Sequence, residues 1–310
     1  MKTSTCMRQV LAGWLIAVAA AVTATGCDRD GANSSTAGAG RAGAAGPKIT
    51  IVASIYPMAE MAERVGGAAW VRAEWLVDAG RRPEEVEADS SARRRAGNAV
   101  AVITAGPWDG AWALPDVTPE ARRDRVVDPS QMPAAQGQDA DAYLWLDPAV
   151  WRQMVERLRT RLSVYDGRHE ADVRAGAAAY LAEVDAVDGE MKAGLAEFKG
   201  RKVLVVRPVW GAMLARYGLE QVAPVTGVTE ERLTAADFKD RIVPAARAAG
   251  ARAIFVDEAT PAGVRQQIED RTGLRVLTLD AVGSSAAEGR STWARVMRYD
   301  LGQLRKGLGM

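Results

Sequence analysis

From residue 168 to residue 198 the chain runs without a proline, and Tyr180, Leu181, Val184, Val187, Met191 and Leu195 recur at steps of three or four. That is the helical period. About thirty residues at 1.5 Å rise each span roughly 45 Å, which is long for a helix inside a globular body. The segment lies mid-chain, between two stretches where short β-branched runs alternate with helical patterns. A helix of that length in that place predicts a strut: two α/β lobes joined by one continuous backbone helix.

The first stretch opens with the apolar run 49–53. A helical pattern follows over 57–65 and stops at Gly66-Gly67. Further short runs lie at 73–76, 100–104 and 126–127, with a helical stretch at 90–97. Asp147-Pro148 opens a helix that carries Val150, Met154, Leu158 and Leu162 on one face. The second stretch begins with a strand at 202–206 and a helix from about 210 to 217, stopped by Gly218. A helix at 235–249, a strand at 253–256, a helix at 261–272, a strand at 276–279 and a helix at 291–308 complete it. Pro244 falls inside one of these patterns, where its ring opposes a regular α-helix. Such alternation reads as a parallel sheet flanked by helices in each lobe. The expected lobes are 48–165 and 200–310, with 166–199 as the linking helix. The halves are similar in make-up but carry no sequence repeat.

The first 47 residues have another character. Lys2 and Arg8 precede an apolar run, 10–22, that is too short for a membrane span. It leads to Ala24-Thr25-Gly26-Cys27, which resembles a lipobox. This predicts a signal peptide over 1–26 and a lipidated first residue, Cys27. The chain has two cysteines, and Cys6 lies in the signal. The mature chain would keep one, so no internal disulfide or multi-thiolate metal site can form. Residues 28–47 are rich in Gly, Ala and Ser, the composition of a flexible tether. The expected location is outside the cytoplasm, on a membrane-anchored protein that is periplasmic or at the cell surface. A net charge of +1 gives no reason to expect a nucleic-acid partner.

Asp141-Ala142-Tyr143-Leu144-Trp145-Leu146-Asp147-Pro148 resembles the Asp-Pro-His-x-Trp-Leu-Asp-Pro signature of the substrate-binding lipoproteins that serve zinc and manganese ABC importers. Gly80-Arg81-Arg82-Pro83-Glu84-Glu85-Val86-Glu87 stands where that family has Gly-x-x-Pro-His-x-Tyr-Glu. The segments Ile51-Val52-Ala53-Ser54-Ile55-Tyr56-Pro57, Arg216-Tyr217-Gly218-Leu219 and Met297-Arg298-Tyr299-Asp300-Leu301 are similar in the same order. The resemblance implies a long backbone helix between two lobes, an ABC permease as partner and a monomeric state. It also implies a metal held between the lobes by four side chains, commonly three histidines and a carboxylate. Carried over, those positions are Glu84, Tyr143, Arg207 and Asp280. Only the aspartate is of the family's type.

The chain has one histidine, His169, in a polar run that reads as a solvated helix start. Without a second histidine or a thiol, the usual nitrogen- and sulfur-rich zinc site is excluded. Glu84 and Asp280 are hard oxygen donors that suit manganese or magnesium, but Arg207 stays protonated. At ~4 Å and an effective dielectric of about 20, a guanidinium and a divalent ion repel by about 8 kcal/mol. The expectation is that no metal binds tightly and that Arg207 takes the metal's place, pairing with Glu84, Asp280 or both. The plainer alternative sends Arg207 into solvent. Nine tryptophans against three phenylalanines include Trp108, Trp112, Trp145 and Trp210 near the expected cleft. Trp108 and Trp210 are the candidates for lining an organic ligand, with core packing as the simpler reading. Arg93-Arg94-Arg95 reads as a solvated helix face or a permease contact. No nucleophile elbow or phosphate loop is present, and no second histidine serves acid–base work, which argues against an enzyme. Three functions stay open: a metal-importer binding lipoprotein with an altered site, a binder of an organic or anionic ligand, and a lipid-tethered interaction protein.

Overall fold

The computed structural model describes residues 48–309 except 88, 108, 110–118, 140–141 and 288. The segments expected to be a signal peptide and a tether, Cys27, Trp108 and Trp112 lie outside the described residues. Strand β1 (Ile49–Ile55) is buried over its last five residues, as a strand covered on both faces must be. Helix α1 (Tyr56–Gly66) follows, with Pro57 in its first turn. Strand β2 (Val71–Val77), helix α2 (Ser90–Asn98), strand β3 (Ala101–Ile103), helix α3 (Pro119–Arg125) and strand β4 (Val126–Val127) continue the first lobe. Asp89 caps α2, whose Arg93, Arg94 and Arg95 are exposed. The strands form one parallel sheet in the order β2-β1-β3-β4. Asp147 caps helix α4 (Pro148–Tyr165), and Pro148 sits where its missing N–H costs nothing.

The strut forms as the period requires. Helix α5 (Glu170–Leu195) buries Val173, Ala177, Tyr180, Leu181, Val184, Val187, Met191 and Leu195. It is prolonged by 3-10 turns at Gly167–His169 and Ala196–Phe198. It packs against α1 and α4 of the first lobe and against the last helix of the second. Its approach to α1 is so close that a Cβ on Gly176 would lie 2.6 Å from the carbonyl oxygens of Arg64 and Val65. Arginines from both lobes also reach its acidic row: Arg64 to Glu183 (2.6 Å), Arg152 to Asp185, Arg216 to Asp188 (2.6 Å) and Arg298 to Glu190 (2.7 Å). His169 is half-buried and stacks on Trp70 with ring centroids 4.0 Å apart, so it is packed rather than solvated.

The second lobe contains strand β5 (Lys202–Leu204), helix α6 (Gly211–Arg216), strand β6 (Glu220–Val222), helices α7 (Ala235–Asp237) and α8 (Val243–Ala249), strand β7 (Ala253–Asp257), helix α9 (Ala262–Thr272), strand β8 (Arg275–Leu279) and helix α10 (Trp293–Leu308). Strand β6 was not expected. It is three residues long, and two of them are Glu220 and Gln221, so it shows no apolar alternation. A π-helical turn, Phe238–Ile242, links α7 to α8. That wider turn admits Pro244, which lacks an N–H and would crowd the carbonyl one regular turn earlier.

Strands β5 and β6 pair in parallel, as do β7 and β8. A parallel bridge between Val205 and Phe255 joins the two pairs. The resulting order, β6-β5-β7-β8, repeats that of the first sheet. The lobes therefore share a topology that the sequence does not display as a repeat. In each sheet the order in which strands are added switches sides between its first and third strands, the point at which parallel α/β sheets leave a crevice at the carboxyl ends of the strands. One apolar core runs from β1 through α5 to β7 and β8, and a second fills the other face of the second sheet. No described helix is long and apolar enough to cross a membrane.

Candidate functional site

The four carried-over positions all follow strands. Glu84 lies in the 3-10 turn Pro83–Glu85 after β2, and Tyr143 precedes the 3-10 turn Leu144–Leu146 after β4. Arg207 comes soon after β5, and Asp280 directly after β8. A fifth group joins them: Asp257, the last residue of β7.

Arg207 is 8% exposed, so it does not reach into solvent. Its Nη1 donates to Asp257 Oδ2 at 2.8 Å and to Tyr143 Oη at 3.0 Å, and its Nη2 donates to Glu84 Oε1. Tyr143 Oη donates in turn to Glu84, with its oxygens at 3.1 and 3.2 Å. The phenol thus accepts from the guanidinium and donates to the carboxylate, which requires it to keep its proton. Burial pushes the Tyr143 pKa well above its usual value, and the nearby Asp257 charge adds to this. For Arg207, burial acts against the cation, but the oxygens of Tyr143, Glu84 and Asp257 more than offset it and hold its pKa above the ordinary arginine value. Burial pushes Asp257 up to about 6, against the pull of Arg207, the Ala259 N–H and Arg82.

Aromatic packing fixes the phenol. The Tyr143 ring stacks on Trp145 at 4.5 Å and meets Trp210 edge-on at 5.8 Å. Its backbone N–H donates across the crevice to Val209 O at 2.8 Å. Trp145 donates to Ala281 O (2.8 Å) and accepts from Trp293 (3.0 Å) through its own carbonyl. Trp210, one of the two ligand-lining candidates, is 1% exposed and serves this packing.

Asp280 is held differently. Its Oδ1 accepts from the N–H groups of Val282 (3.0 Å) and Gly283 (2.9 Å). Its Oδ2 lies 3.3 Å from Arg290, which also pairs with Glu258 at 2.9 Å. Of the two expected pairings of Arg207, that with Glu84 forms and that with Asp280 does not; Asp257 takes the second place. The structure thus gathers Glu84, Tyr143 and Arg207 in one hydrogen-bonded cluster and turns Asp280 toward its own loop. No signature in the sequence points to Asp257. The available signal was a carboxylate closing a fully buried strand. Among the described residues, no group of three or more His, Cys, Asp or Glu side chains is placed to hold a metal ion.

Comparison with known proteins gives a consistent result. The zinc-binding lipoprotein AdcA of Streptococcus pneumoniae serotype 4 is 23% identical over 203 residues, covering 59% of this chain and 40% of that protein. The high-affinity zinc uptake system protein ZnuA of Paracoccus denitrificans is 26% identical over 161 residues, covering 51% and 48%. The matches thus span less than half the length of these relatives. Among solved structures, the Zn(II)-bound ZnuA-like domain of S. pneumoniae AdcA superposes with a TM-score of 0.71 at 20% identity, over 85% of this chain and all of that one. The periplasmic zinc binding protein TroA from Treponema pallidum gives 0.70 at 17%, over 84% and 99%. At these identities the superpositions speak to fold: two α/β lobes on a backbone helix. Residues 51–307 match the family described as ZnuA, zinc-uptake complex component A periplasmic. The chain therefore belongs to the ZnuA family, a family of transport components rather than enzymes.

Proposed function

We propose that this protein is an extracytoplasmic solute-binding lipoprotein of the metal-importer type in which Arg207 holds the place of the zinc or manganese cargo. The observation that carries the reading is the buried Arg207 guanidinium, hydrogen-bonded at once to Glu84, Tyr143 and Asp257. A divalent ion at that point would meet a fixed positive charge, and the carboxylates that could attract it are already hydrogen-bonded to that cation. The remaining donor near them is a neutral phenol, and the single histidine stacks on Trp70. This donor set does not fit a zinc site. In this reading the partner is an ABC permease, the protein is a monomer, and the membrane is reached through a lipid on Cys27. An organic or anionic ligand would need Arg207 free, and its partners already balance it.

Titration calorimetry of chelator-stripped protein tests the site. The expected result is no stoichiometric zinc binding in the sub-micromolar range, and such an isotherm would overturn the proposal. The triple variant Glu84→His, Tyr143→His, Arg207→His should gain zinc affinity, with Asp257 already in the cluster, or Asp280 turned out of its own loop, as the fourth group. If it folds normally and ignores zinc, the carry-over of positions is wrong. For the anchor, a Cys27→Ala variant should leave the membrane fraction, and its retention there would count against lipidation.

A further inference from the structure

A second guanidinium lies in the crevice. Arg82, two residues before Glu84, is 3% exposed. Its Nη2 donates to Glu230 Oε2 at 2.9 Å, and its Nη1 donates to Glu85 at 2.8 Å and lies 3.4 Å from Glu231. Its Nε is 3.6 Å from Asp257 Oδ2, the same oxygen that accepts from Arg207 at 2.8 Å. Glu230 and Glu231 belong to a 3-10 turn of the second lobe, Glu230–Arg232. Glu230 is 2% exposed, and its other oxygen accepts from Thr260 at 3.2 Å. Burial acts against the Arg82 cation as well, but Glu230, Glu85 and Asp257 hold its pKa above the usual value.

The crossing runs both ways. Arg207 leaves the second lobe and reaches Glu84 and Tyr143 of the first. Arg82 leaves the first lobe and reaches Glu230, Glu231 and Asp257 of the second. Asp257 is the point the two arginines share. We propose that Arg82 and Arg207 form a reciprocal clasp that holds the crevice shut in the cargo-free protein, so that the closed arrangement of the lobes is the resting one. The clasp is selective by its charges. Lobes closed in another register would bury an arginine without its carboxylate, a strongly unfavourable state. In the register seen, each cation meets carboxylates with charge-assisted hydrogen bonds, the stronger kind. The strut and the core shared by the lobes keep the two sides close enough for the clasp to re-form. A protein held this way presents its closed surface without any cargo. The Arg207 half of the clasp rests on the reading of Arg207 given above, whereas the Arg82–Glu230 half stands apart from zinc affinity, because Arg82 and Glu230 lie outside the four carried-over positions.

Hydrogen exchange on the full, chelator-treated chain tests the clasp, read in segments 83–86 and 229–233. The parent should be protected in both and show no change on adding zinc. Arg82→Gln should raise exchange in both segments by about tenfold or more, the scale of losing a charge-assisted hydrogen bond. Protection of α5 and α10 should be unchanged. Arg82→Glu should open the crevice further and enlarge the radius of gyration in solution scattering. The swap Arg82→Glu with Glu230→Arg should restore protection toward the parent. If Arg82→Glu fails to fold, Arg82→Gln decides alone. Unchanged exchange at 229–233 in Arg82→Gln overturns the proposal. So does a folded swap that exchanges as fast as Arg82→Glu, or a parent whose segments become protected only when zinc is added.

Discussion

Asp257 and Asp280 close adjacent parallel strands, β7 and β8, and they are 4% and 5% exposed. Burial does not distinguish them, but their partners do. Asp257 stands among guanidinium groups, with Arg207 and Arg82 both near its Oδ2. Asp280 folds back on its own turn, where two backbone N–H groups serve one oxygen and Arg290 approaches the other. Asp300 sits behind Asp280, accepts its N–H at 2.8 Å and is fully buried. Burial pushes its pKa well above the usual carboxylate range, which favours the neutral acid over the ion. One region of one lobe thus treats buried carboxyls in three ways: with cations, with backbone dipoles and with a raised pKa. The first way links the lobes, while the other two stabilise the second lobe alone.

The largest expected effect tests that contrast directly. Asp257→Asn leaves two buried arginines short of a carboxylate and should cost about 3–5 kcal/mol, the scale for breaking a buried pair. Asp280→Asn keeps an oxygen for the Val282 and Gly283 N–H groups and should cost about 1–2 kcal/mol. Urea unfolding of the two variants measures this, and equal losses would break the comparison.

Asp300 gives a pH signature of the opposite sign from an ion-paired carboxylate. Its folded pKa is raised, so its contribution to stability is fully present below the unfolded value near 4 and is lost as pH rises toward the folded one. Asp300→Asn removes that dependence. The stability of the variant relative to the parent should therefore grow with pH above about 4, by at most about 1.4 kcal/mol per unit. Chemical denaturation at about pH 5, 6 and 7 would show it, and a gap that stays constant would mean Asp300 is ionised.

Tyr143→Phe sharpens the picture at smaller scale. It removes the hydroxyl between Arg207 and Glu84 but keeps the ring on Trp145, for an expected loss of about 1 kcal/mol. A loss as large as that of Asp257→Asn would make the phenol, not the carboxylate, the centre of the cluster. Smallest of all should be Glu190→Ala. Its pair with Arg298 is 44% and 41% exposed, and such pairs contribute about 0–1 kcal/mol. A larger cost, measured by the same unfolding, would mean the strut depends on its surface arginines.

The sequence by itself determined the strut, most strands and most helices, though not the short α3. The 3.6-residue period of α5, the Asp147-Pro148 cap of α4 and the apolar run of β1 are local features, each legible within a few turns of chain. It also marked Glu84, Tyr143 and Arg207 as an altered set, through their place in the family's signatures. It did not reveal β6, whose few polar residues carry no alternation. Nor could it reveal the shared strand order, which depends on the spatial direction of each crossover. The partners of Arg207 and Arg82 were decided by tertiary structure alone. Arg207 meets Asp257 fifty positions on, and Arg82 meets Glu230 across 148 positions. The physical reason is range. Backbone hydrogen bonding and side-chain periodicity act between near neighbours in the chain, while a buried charge is satisfied by whichever strand end the folded sheet brings beside it.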